Sequence, residues 1–146
     1  RRLMAATALA QHAMLMPVLA MVGVTLAVWL RLYQLRLGEM RRRRIAPQSL
    51  AGSANKGLLL DTRASDNFSN LFEVPVLFYA LVLATAVAGV GDGLLLALAW
   101  AFVALRALHS LIQCTYNRVM HRFSVYALAT LALFIYTGRL AWILAG

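Results

Sequence analysis

Four apolar stretches, each long enough to cross a bilayer, occupy most of this chain: about residues 12–37, 64–90, 93–116 and 123–145. At about 1.5 Å rise per residue each reaches across the ~30 Å hydrocarbon layer as a helix. Backbone groups in lipid must be satisfied within the segment, and a helix does this. Hydrophobic residues make up 62% of the 146 positions, more than the interior of a soluble domain this size can hide. The expectation is an all-α fold: one domain, residues 1–146, built as an integral membrane bundle of four antiparallel helices.

Charge sets a direction for that bundle. The net charge of +9 could suggest nucleic acid, but the charges sit in the connections. From Arg31 to Lys56 the chain carries Arg31, Arg36, Arg41, Arg42, Arg43, Arg44 and Lys56 against Glu39 alone. Arg118, His121 and Arg122 mark the third link, whereas the second carries only Asp92. Basic loops on one side predict a cytoplasmic loop 38–62, with both termini on the opposite side. The "RRRR" run reads as a topology signal touching anionic head groups, and no nucleic-acid partner is expected. Thirteen of the fourteen basic residues are Arg, and with abundant Ala and Leu this favours a bacterial inner membrane.

The first span, with Pro17 marking an expected kink, is too long for the core of a signal peptide and is followed by a basic stop-transfer pattern. Cys114 is the single cysteine, which excludes an internal disulfide and reads as packing. Trp29, Tyr33, Tyr116 and Trp142 lie near span ends as interfacial anchors, and Arg139 reads as a snorkelling side chain.

Polar groups inside the spans are the informative exceptions. Asn67, Asn70 and Glu73 recur every three residues and share one helical stripe. Arg106, His109 and Gln113 fall at i, i+3 and i+7 on the third span, and Arg122 and Tyr126 at i and i+4 on the fourth. Counted from the basic side, Glu73 lies roughly 16 Å deep and Arg106 roughly 18 Å. Antiparallel packing brings them level, and an unpaired charge there costs about 3 kcal/mol even on the gentlest insertion scale. A Glu73–Arg106 ion pair is therefore expected. No metal ligands are assigned.

At these residues the sequence resembles the membrane-associated proteins in eicosanoid and glutathione metabolism, the family of microsomal glutathione transferases, leukotriene C4 synthase and microsomal prostaglandin E synthase. The Asn-x-x-Glu followed closely by Pro is matched by Asn70, Glu73 and Pro75, the Arg-x-x-His by Arg106 and His109, and the fourth-helix Arg with Tyr four later by Arg122 and Tyr126. The resemblance implies a homotrimer binding glutathione between subunits. It implies that Asn70 and Glu73 hold polar atoms of the tripeptide, that Arg106 orients Glu73 and His109, and that Arg31 or Arg36 reaches a ligand carboxylate. Arg122 would stabilise the glutathione thiolate and Tyr126 would donate a hydrogen bond or pack on the ligand. A lipophilic electrophile arriving from the bilayer would be attacked.

Three positions depart from the family pattern. Asp66 stands where an Arg is common, Gln113 where a Tyr is, and Phe123 where the prostaglandin synthase branch has Ser. The implied activity is a membrane glutathione transferase or peroxidase. The alternative is a non-catalytic relative that binds lipid or a partner and uses the polar cluster structurally. A proton or ion carrier built on Glu73, Arg106 and His109 fits less well, since no polar path continues through the outer half.

Overall fold

The computed structural model describes residues 2–51 and 58–146, with side chains from residue 11 onward. All regular structure among the described residues is helical: α1 (Arg2–Arg43), a 3-10 turn at Pro47–Leu50, α2 (Arg63–Asn70), α3 (Val74–Ala88), α4 (Gly93–Cys114) and α5 (Val119–Ala145). Four segments are long and apolar enough to cross a membrane: Gln11–Arg43, Arg63–Ala88, Gly93–Cys114 and Val119–Ala145. The molecule is thus the expected four-span helical membrane bundle.

Two boundaries differ from expectation. The first helix does not stop at Leu37 but continues through Arg43, so most of the arginine run rides on helix rather than loop. The second span is two helices, not one. Pro75 has no N–H to offer the carbonyl of Leu71, and the ladder breaks at residues 71–73. Glu73 sits in that break at φ −98°, ψ −106°, preceding the first turn of α3.

The core forms where α4 packs along α5 and α1, and α1 along α2 and α3. Phe78 of α3 stacks on Phe102 of α4 with ring centroids 4.6 Å apart, among Met21, Val82, Leu95, Ala99 and Leu133. One buried polar contact interrupts it: the Tyr136 hydroxyl donates to Thr85 Oγ1 at 2.8 Å, and Thr85 Oγ1 donates to the Leu81 carbonyl at 2.8 Å. Both hydroxyls are satisfied, so the contact is tolerated in an apolar interior.

The short α3–α4 link is built for a tight reversal. Gly89 takes φ +67°, a left-handed conformation suited to a residue without Cβ. Asp92 then caps α4, accepting from the Leu95 N–H at 2.7 Å, and its second oxygen accepts from Arg139 Nε and Nη2 at 2.9 and 2.7 Å. Arg139 is therefore not a free snorkelling side chain. It ties α5 to the cap of α4, because a carboxylate within reach satisfies the guanidinium better than head-group water does.

At the opposite end the chain returns to α1 through Glu39. This buried carboxylate accepts from the Leu60 and Asp61 N–H groups at 2.8 and 3.4 Å and pairs with Arg43 at 3.0 Å, while Arg43 also donates to the Leu58 carbonyl. Asp61 pairs with Arg63 at 2.8 Å, and that guanidinium holds its carboxyl below the ordinary range. Arg63 donates onward to the Thr115 carbonyl at 2.6 Å, which sets the start of α2 beside the end of α4.

Candidate functional site

The three polar stripes expected from helical spacing converge at the end of the bundle nearest the basic loop. Asn70 closes α2, Glu73 lies in the break after it, His109 and Gln113 occupy the last turns of α4, and Arg122 and Tyr126 the first turns of α5. A cleft of about 220 Å³ is lined by Asn70, Glu73, His109, Arg122 and Tyr126, with Val119 and Phe123 at its apolar rim. Five predicted site residues thus face one space.

Gln113 organises this cluster from behind. It is buried, and its Oε1 accepts from Asn70 Nδ2 at 3.3 Å and lies 3.0 Å from His109 Nε2. His109 Nδ1 lies 3.3 Å from the Arg122 carbonyl, so one imidazole spans α4 and the start of α5. One amide oxygen therefore fixes two cleft residues. Gln113, standing where the resemblance suggests a Tyr, thereby holds the walls of the cleft.

Arg106 departs most from expectation. Its side chain is 1% exposed, yet it forms no ion pair with Glu73. Nη2 donates to the Asn70 carbonyl at 3.0 Å, and the guanidinium carbon lies 5.6 Å from the centre of the Tyr126 ring, within cation–π range. Nε and Nη1 are buried without partners among the described residues. Glu73, freed by the helix break, is exposed on the cleft side and pairs with no cation among the described residues. The break before Pro75 explains the difference: the three-residue spacing that would align Glu73 with Asn70 holds only in a continuous helix.

Arg122 is half-buried, and its Nη1 donates to Asn117 Oδ1 at 2.9 Å. Asn117 takes φ +49° in the turn between α4 and α5, a left-handed position that Asn tolerates better than most residues. Sequence reasoning missed Asn117, although an Asn in a short interhelical link is a recognisable turn signal. It also missed the partner of Asn67, which is fully buried, accepts from Ser110 Oγ at 3.2 Å and reaches Cys114 Sγ at 3.5 Å. Asn67 is thereby turned away from the cleft that Asn70 lines.

Arg31 and Arg36 do not reach the cleft within one chain. Arg31 borders a groove between α1 and α4, and Arg36 a cavity of about 480 Å³ shared with Asp61, Thr62, Ser65, Asp66 and Ser69. Asp66 is engaged by the Thr62 hydroxyl at 2.9 Å.

The cleft can do definite chemistry. A carboxylate and an amide suit an ammonium or peptide group, a guanidinium suits an anion or thiolate, and the exposed Phe123 and Val119 make the rim apolar. Among known proteins, no curated protein and no solved structure matches the chain. A family model described as the MAPEG family matches residues 14–142, which reaches into all four spans and includes every residue lining the cleft. With the four-span bundle and the convergence of Asn70, Glu73, His109, Arg122 and Tyr126, that match makes the chain a member of the MAPEG family.

Proposed function

We propose that this protein is a membrane-embedded glutathione-dependent transferase or peroxidase acting on lipophilic electrophiles. The observation that carries the reading is the shared cleft, where a free carboxylate and a half-buried guanidinium lie at the level of an apolar rim. Family membership supports a glutathione-related activity in the membrane. The buried Arg106 guanidinium, behind the cleft wall and without a carboxylate partner among the described residues, adds a positive field that favours an anionic ligand.

Glutathione supplies the nucleophilic sulfur. Arg122 stabilises its thiolate, since a neighbouring cation lowers a thiol pKa from about 8.5 toward neutrality. Glu73 receives the ammonium, Asn70 a peptide group, and Tyr126 a hydrogen bond or ring contact. Arg106 acts through its field and holds the Asn70 backbone in place, while His109 and Gln113 keep the walls at their spacing. The cleft of about 220 Å³ is smaller than the ~300–1,000 Å³ of complete ligand sites. One chain therefore offers part of a site, and a homotrimer, with Arg36 of a neighbouring subunit gripping a carboxylate, supplies the rest. The loop 38–62 faces the cytoplasm of a bacterial cell, where reduced glutathione is available.

The test is glutathione binding to the detergent-purified protein, by calorimetry and by ultraviolet absorbance of the thiolate. Saturable binding with a thiolate signal that disappears in Arg122→Ala, while the variant keeps its helical circular dichroism, is the expected result. Binding without any thiolate favours the second reading, a non-catalytic lipid or partner binder, which the structural use of Gln113 supports. Unchanged thiolate formation in Arg122→Ala removes that residue from its role.

A further inference from the structure

A separate groove lies between α1 and α4. It measures about 430 Å³ and is almost wholly apolar. Val24, Ala27, Val28 and Arg31 line one wall at i, i+3, i+4 and i+7, so the wall is a single stripe of α1. Ala107, Ser110, Leu111 and Cys114 repeat that spacing on α4, with Thr115 at the end. The two helices run the same way, and Arg31, Cys114 and Thr115 stand together at the basic end. Small side chains at Ala27 and Ala107 leave the gap, and exposed Ala27 and Leu111 leave it open sideways.

Arg31 gives the groove a polar mouth. It is exposed and makes no ion pair among the described residues. Trp29 and Tyr33 flank it in sequence, both exposed, with their rings 4.7 Å apart. Such aromatic pairs sit at head-group level, so the guanidinium lies where lipid phosphates are. Seven residues of helix below it span roughly 10 Å, about a third of the hydrocarbon layer.

We infer that this groove binds one acyl chain of an anionic phospholipid, with the phosphate on Arg31. A guanidinium pairs with phosphate through two parallel N–H donors, and it favours a head group whose phosphate charge is not offset by a choline ammonium; an apolar helix would leave those donors unused. The inference does not rest on the glutathione reading, because the groove and the polar cleft share no lining residue.

Cys114, the sole cysteine, reports on occupancy from the groove wall. The full protein is placed in nanodiscs of phosphatidylcholine alone or mixed with phosphatidylglycerol, and Cys114 alkylation by N-ethylmaleimide is timed by mass spectrometry. Phosphatidylglycerol should slow alkylation about fivefold, the effect of one basic side chain near an anionic surface. Arg31→Gln should abolish the slowing, and Arg41→Gln, on the same helix but outside the groove, should keep it. Equal rates in the two lipids overturn the assignment, as does slowing that persists in Arg31→Gln. A Cys114 unreactive in both lipids also overturns it, since the groove is then covered by a second chain.

Discussion

Arg106 is a buried guanidinium with one hydrogen bond, one aromatic neighbour and two idle donors. The carboxylate expected to neutralise it stands exposed in the cleft instead. That changes what Glu73 contributes. A buried pair, once broken, would cost about 3 to 5 kcal/mol. An exposed, unpaired Glu73 predicts that Glu73→Gln shifts the melting free energy by no more than about 0.5 kcal/mol. The same variant should weaken glutathione binding about tenfold, by loss of one charge-assisted hydrogen bond. Calorimetry and thermal melting of one preparation check both halves. A large fall in stability would mean that the pair forms after all. Gln113 predicts the opposite balance. Gln113→Leu strands Asn70 and His109 and should cost about 1 to 3 kcal/mol, measured by denaturant melting without glutathione.

Among the elements, Asp92 joins two helices through one carboxylate. Its carboxyl is held below the ordinary carboxylate range first by the Leu95 N–H and then by Arg139. A folded-state pKa lowered in this way means that the unfolded chain takes up the proton first. The stabilisation is therefore complete above the ordinary value of 3.8 and is lost as pH falls through the lower folded value. Asp92→Asn keeps the cap, because Asn serves as well there, and removes only the charge. The melting temperature of the variant should lie below that of the parent at neutral pH, and the gap should close in acid. A gap constant with pH would separate Asp92 from Arg139. Periodicity made the helices readable, and with them the stripes of α4 and α5. It could not place Glu73, since one proline broke the register on which its face was reckoned, and it could not pair Arg139 with a residue 47 positions away.

For the whole molecule, the four spans follow from hydropathy and length alone, which is why composition revealed the architecture. The site is harder to read, because its walls come from three separate segments and one chain encloses only about 220 Å³. The trimer proposed above predicts a mass three times that of the 16.0 kDa chain by native mass spectrometry in detergent. Glutathione binding should be lost when dilution or harsher detergent yields monomers. Monomers that retain full affinity would assign the whole site to one chain.

The clasp at Glu39 has a consequence for how this protein tolerates change. By gripping the N–H groups of Leu60 and Asp61, it closes the intervening chain into a ring whose ends are set independently of its length. Lengthening such a ring is cheap, about 0.6 kcal/mol for each doubling. Tags, reporter domains or foreign epitopes spliced inside the ring would leave the entry angle of α2, and the polar cleft beyond it, undisturbed. The clasp makes this loop a natural insertion port.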